Sequence, residues 1–216
     1  EYLLESDSKK LIDLDLSSFA DETAGESMAP GGGSIAAYVG TLGVALGTMV
    51  ANLSAHKAGW DDKWEYFSDW AQKGQVYKNK LLFLVDEDTN AFNKIIDGFR
   101  MPQSSEEEKE ARKQAIEDAT KYATEIPFQV METAYESMEV MQAMLKDGLQ
   151  NSLSDGGVGI LCARAAVIGA YFNVRINAKD IKDRDFADTM LAKAEKVYQQ
   201  TLSAEQEMIA FMDTKI

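Results

Sequence analysis

Between Ala29 and Ala55 no side chain carries a charge, and the only polar groups are small ones such as Ser34, Thr41, Thr48, Asn52 and Ser54. Gly40, Gly43 and Gly47 recur within this run at helical spacing. An uncharged helix with small residues on its faces is expected to lie among neighbours whose backbones approach closely. Its modest mean hydropathy and the acidity of the rest of the chain argue against a membrane span of the same length. A second charge-poor helix is predicted to run to about Asn177. Its stripe of Asp155, Gly159, Ala163, Ala166, Ala170, Asn173 and Asn177 is small in the middle and polar at both ends. The two are expected to pair as buried helices.

Elsewhere the pattern is amphipathic. Residues 62–100 place Trp64, Phe67, Ala71, Gly74, Tyr77, Leu81, Leu84, Phe92, Ile95 and Phe99 at steps of three and four. A helix of that length measures ~55 Å, so it either kinks near Gly74 or reaches toward a second subunit. Asp88 falls on its inward stripe, where an aliphatic residue is expected, while Asp86 and Glu87 point elsewhere. Pro102 ends the helix, and Ser105 with Glu108 reads as a capping box opening the next. Pro127 is expected to kink or restart that helix before Gly148 caps it. Ser17 is read as the N-cap of a short helix reaching about Glu26. Ser154, in a loop from Leu149 to Gly157, is read as the N-cap of the second charge-poor helix. A surface helix over Asp183–Met212 turns Phe186, Met190, Val197, Ile209 and Met212 inward. With three prolines and no alternating strand pattern, the fold class is all-α: a lead-in over 1–15 and one bundle-like domain over 16–216.

Composition narrows the chemistry. A net charge of -14 opposes nucleic acid and membrane surfaces as partners. A single cysteine, Cys162, excludes an internal disulfide, and a single histidine, His56, excludes His-rich metal sites, so no metal is expected. With no signal segment visible, the expected location is cytoplasmic. Chemistry must then rest on carboxylates, amides, hydroxyls or basic groups. The Gly31–Ser34 turn could cradle a ligand at a helix N-terminus or only shape a tight helix entry. Asp88 could be a desolvated general acid/base or a buried partner of Arg164 or Arg175. Ser154 and Asp155 could bind a ligand or cap their helix; Asn173 and Asn177 could read a heterocycle edge or satisfy each other. His56 reads most plainly as a partner of its helix dipole. Lys57, Arg100, Arg164, Arg175 and Lys179 are the cations nearest these features in sequence.

Four separated segments carry a resemblance: Pro30–Ser34, Leu84–Phe92 with its Asp-Thr-Asn-Ala-Phe element, Asn151–Asp155, and Gly169–Asn177. In that order, over roughly residues 10–213, they resemble the formiminotetrahydrofolate cyclodeaminase / methenyltetrahydrofolate cyclohydrolase family. Asn52–Lys57 and Gly59–Asp62 look most like the cyclodeaminase domain of bacterial bifunctional enzymes. The resemblance implies an all-helical domain that forms a homodimer, with a folate site near the subunit interface, acting in histidine degradation beside a fused or associated formiminotransferase domain. It implies that Asp88 is the catalytic aspartate. Pro30, Gly31, Gly32, Gly33 and Ser34 would line the pterin end, and Asn151, Ser154, Asp155, Asn173, Asn177, Arg175 and Lys57 would be substrate-binding candidates. No cofactor beyond the folate substrate is implied. One departure is visible: where the family often has Gly-Asn-x-Asn, this chain has Gly148-Leu149-Gln150-Asn151. The activity implied is ring closure of 5-formiminotetrahydrofolate with loss of ammonia, with Asp88 moving the proton and a second anion, Asp155, beside the cationic amidine. The alternatives are the sister cyclohydrolase reaction and a non-catalytic helical dimerisation module.

Overall fold

Few helix breakers separate the amphipathic segments, and the computed structural model, which describes residues 10–216, is correspondingly helical. Residues 1–9 of the expected lead-in lie outside the described residues. Six α-helices and no strand occur among those described: α1 (Leu16–Ala24), α2 (Gly32–Ala55), α3 (Trp64–Arg100), α4 (Glu106–Asp147), α5 (Leu153–Asn177) and α6 (Arg184–Asp213). Successive long helices run antiparallel. α2 and α5 form the central pair, α4 packs beneath both, α3 flanks α2 and α4, and α6 flanks α5 and α4. The core between them is rich in methionine, with Met131, Met138 and Met141 buried beside Leu81, Leu84, Leu145 and Ile160.

The helix ends follow local chemistry, with two corrections. The first helix is capped not by Ser17 but by Asp15, whose carboxylate accepts from the Ser18 N–H at 2.9 Å. A carboxylate reaches the free amides of a first turn as well as a hydroxyl does, and it starts the helix earlier. Likewise α5 begins at Leu153 after Ser152, so Ser154 and Asp155 sit inside its first turn; only part of the expected loop remains, most of it a 3-10 turn over Gln150–Ser152. The capping box is present: Ser105 and Glu108 bond reciprocally, both at 3.1 Å.

Neither expected interruption breaks a helix. α3 is continuous over 37 residues. Gly74 serves as a contact point, for a Cβ there would lie 2.1 Å from Thr48 Oγ1 of α2. α4 likewise continues through Pro127. The tightest crossing in the central pair is Gly43 against Gly159: a Cβ on either would come within 2.7 or 2.8 Å of the other's carbonyl oxygen.

The two charge-poor helices are not enclosed on every side. Both are long and apolar enough to cross a membrane, and 61% and 50% of their most apolar windows lie inside the protein. Leu42, Met49 and Leu53 of α2 and Val158, Leu161, Phe172 and Ile176 of α5 are exposed. Each set falls on one helical stripe, on the side of the pair away from α4.

Gly43→Ala tests the crossing. In an ordinary helix interior the change stabilises by about 1 kcal/mol; here the methyl group meets backbone that cannot give way, and overpacking costs about 1–3 kcal/mol. The variant is expected to melt below the wild type by circular dichroism; a higher melting temperature would show that the helices part freely.

Candidate active site

α2 starts from Gly31, which has no side chain to cap the free amides of the first turn. The cap comes from another helix. Asp88 follows Leu81, Leu84 and Val85 along the buried stripe of α3; its Oδ2 accepts from Ser34 Oγ at 3.0 Å, and the Ser34 backbone N–H also favours the ionised carboxylate. The approach depends on Gly33, where a Cβ would fall 2.1 Å from Asp88 Oδ1. Burial pushes the carboxyl above its ordinary range, and the Ser34 bonds recover only part of that shift.

No ion pair among the described residues involves Asp88. Arg164 instead bonds Glu205 at 2.8 Å, and Arg175 is exposed with its guanidinium 5.4 Å from the Tyr171 ring. The adjacent acids are engaged elsewhere. Asp86 accepts from the Leu11 N–H of the lead-in at 2.8 Å, and Glu87 accepts from the Tyr122 hydroxyl and from Asn90. Of three consecutive acidic residues only Asp88 reaches the start of α2.

Asp88 opens onto a cleft of about 160 Å³ between the start of α2, the second half of α3, α4 and the end of α5. Gly31, Gly32, Gly33, Asp88, Asn173 and Asn177 all line it. Ser34 and Pro30 are buried beside it, and the Ala29–Pro30 peptide is cis. Asn173 Nδ2 donates to Gly169 O at 2.9 Å, and Asn177 Nδ2 to Ala123 O at 2.6 Å. The asparagines therefore do not satisfy each other. Sequence reasoning missed Met28, Thr89 and Ala123, and it read Phe92 and Ile95 as core; all five line the cleft. Phe92 and Ile95 share the Asp88 stripe, which was the available signal. Thr89 carries a buried hydroxyl with no partner among the described residues.

The other candidates do not join this cleft within one chain. α2 and α5 are antiparallel, with Gly32 beside Asn173, Gly40 beside Ala166 and Gly43 beside Gly159. At the opposite end the Leu149 N–H donates to Ser54 Oγ at 3.1 Å, and that is the end where Lys57, Asn151, Ser154 and Asp155 stand. Lys57 Nζ lies 3.9 Å above the Trp60 ring, and His56 is the C-cap of α2. About 37 Å of α5 separates Leu153 from Asn177, so Asp155 is no second anion beside Asp88 of the same chain. Among the described residues no group of three or more His, Cys, Asp or Glu could hold a metal ion.

Comparison with known proteins bears on this geometry. A methenyltetrahydrofolate cyclohydrolase from Methylorubrum extorquens is 29% identical over 93% of this chain and 97% of its own length. The formimidoyltransferase-cyclodeaminase of Gallus gallus is 34% identical over 86% of this chain but only 35% of its own length. The chain thus spans about a third of the bifunctional relatives it matches. A crystal structure of formiminotetrahydrofolate cyclodeaminase from Thermotoga maritima superposes with a TM-score of 0.82 at 27% identity, covering 94% of this chain and 97% of that one. Residues 15–196, most of the chain, match the family described as formiminotransferase-cyclodeaminase, and the chain belongs to that family of enzymes.

Proposed function

We propose that this chain closes 5-formiminotetrahydrofolate to 5,10-methenyltetrahydrofolate and releases ammonia, with Asp88 as the catalytic residue. The observation that carries the reading is a buried carboxylate with a raised pKa and no cation beside it, set in a cleft at the start of α2. Nitrogen 10 of the folate attacks the carbon of the formimino group, whose own nitrogen is protonated, and forms a tetrahedral aminal. Asp88 takes the proton from nitrogen 10 and delivers it to the amino group, which leaves as ammonia while the carbon becomes the methenyl cation. A carboxyl of raised pKa suits both halves of that relay, because it is a stronger base when ionised and holds the proton it takes more readily than an ordinary carboxyl does. The Gly31–Gly33 backbone forms the wall against which the pterin lies. The resemblance of the chain further suggests a cytoplasmic setting in histidine degradation.

A second reading is favoured by the Methylorubrum relative, which is covered along nearly its whole length. In it, water attacks the methenyl carbon and opens the ring to 10-formyltetrahydrofolate through a closely similar tetrahedral carbon.

A cleft of about 160 Å³ is smaller than the roughly 300–1,000 Å³ of sites that enclose a drug-sized ligand. Part of the folate must lie outside it. A second copy of the chain is the occupant that the exposed α2–α5 face suits. A molecule of net charge -14 repels itself, yet α2 carries no charge from Gly32 to Ala55. A two-fold axis in the interface at right angles to α2 runs each helix antiparallel to its copy. The Asn151–Asp155 end of one chain then closes over the Asp88 cleft of the other.

Four outcomes test these statements. Methenyltetrahydrofolate absorbance and ammonia release, followed with each substrate, decide between the two reactions; ready methenyl hydrolysis without ammonia production from the formimino compound selects the second. Asp88→Asn is expected to lower kcat by ~10²–10⁴-fold while still binding folate, and near-normal turnover would remove Asp88 from the mechanism. Because the carboxyl is raised in the folded state, wild-type stability should fall as pH rises from the ordinary carboxyl range through the raised value. Asp88→Asn should lack that slope in denaturant melts, since its amide oxygen still accepts from Ser34. Finally, Asp88→Asn and Asp155→Ala, each inactive alone, should regain about a quarter of wild-type activity when co-refolded, because half the dimers are mixed and each holds one intact site of two. No recovery would show that Asp155 of one chain does not complete the Asp88 cleft of the other.

A further inference from the structure

The ring nitrogen of Pro127 carries no hydrogen, so the carbonyl four residues earlier in α4, that of Ala123, lacks its helical donor. Asn177, at the end of α5, donates its Nδ2 to that same carbonyl at 2.6 Å. Both Ala123 and Asn177 line the Asp88 cleft. The partner fixes the amide: a carbonyl can only accept, so the nitrogen end of Asn177 faces α4, and Oδ1 is left with no partner among the described residues. Asn173 is oriented in the same way, its Nδ2 tied to Gly169 O. The amide groups on this side of the cleft therefore offer acceptors, and they match a ligand edge made of N–H donors.

We propose that Pro127 is a positioning residue: by withholding an N–H from Ala123 it commits the Asn177 amide, so that Oδ1 accepts from an N–H group on the substrate's fused heterocycle. The identity of that substrate rests on the folate reading above; the coupling of Pro127 to Asn177 does not. A proline in a helix interior normally weakens the helix, and here one of its consequences is an oriented side chain at the site.

A double-mutant cycle tests the coupling. Pro127→Ala returns the missing N–H, which completes the α4 ladder and releases the Asn177 amide. The variant is expected to melt at or above the wild-type temperature and to keep kcat, since Asp88 is untouched. Its KM for the tetrahydrofolate substrate should rise about tenfold, the worth of one hydrogen bond. Asn177→Ala should raise KM similarly and also lower the melting temperature, because it strands the Ala123 carbonyl. The double variant should show no further rise in KM, and its melting temperature should match that of Pro127→Ala, the carbonyl having its donor. Additive effects of the two changes on KM and melting temperature, or an unchanged KM in Pro127→Ala, would overturn the proposal. A wild type that neither binds nor converts a tetrahydrofolate would refute the folate reading, and the melting half of the cycle would still decide whether Pro127 acts through Asn177.

Discussion

Asp88 reaches the first turn of α2 only because position 33 has no side chain, and much of the architecture depends on that approach. α2 supplies amides without a cap of its own, α3 supplies a carboxylate without a cation, and each satisfies the other across a gap that a single methyl group would fill. The same economy of side chains repeats along α2. Gly43 meets the backbone of α5 at Gly159, and Thr48 is received by Gly74 of α3. Close backbone contact along its length holds α2 in place, and that fixes the distance between its first turn and Asp88 at its end.

The antiparallel order of the long helices then decides what can be a neighbour. The N-terminal end of α2, the second half of α3, the first half of α4 and the C-terminal end of α5 meet at one end of the bundle, so residues far apart in sequence line one cleft. The same order sends Lys57 and Asn151–Asp155 to the other end. A site spread over both ends would need two molecules, the arrangement proposed above for the face where α2 and α5 expose apolar side chains.

Much of this was legible in the sequence. Asp88 stood out because an amphipathic stripe tolerates few charges, and the capping box at Ser105 and the helical extents followed from local chemistry. What misled was what a single helix cannot report. Uncharged stretches implied burial all round, whereas only 61% and 50% of the two apolar windows lie inside the protein. Ser17 and Ser154 looked like caps because hydroxyls cap well, yet Asp15 and Ser152 lay closer to where the backbone turns. Pro127 read as a kink or restart because its effect on α4 is visible in sequence; the group that meets the freed carbonyl, Asn177, lies on another helix. Ala123 carried no signal at all, since what brings it to the cleft is its backbone carbonyl.

The proton affinity of Asp88 is set by burial, a hydroxyl and a backbone amide rather than by a neighbouring formal charge. Mobile ions screen charges on an exposed surface over a Debye length of about 10 Å at 0.1 M, but they have little purchase on dipoles enclosed by protein. The many carboxylates on the outside of this acidic chain respond to ionic strength; the one at the start of α2 is insulated from it. The proton affinity of Asp88 therefore changes little between media of very different salt content, while solubility and self-association vary around it.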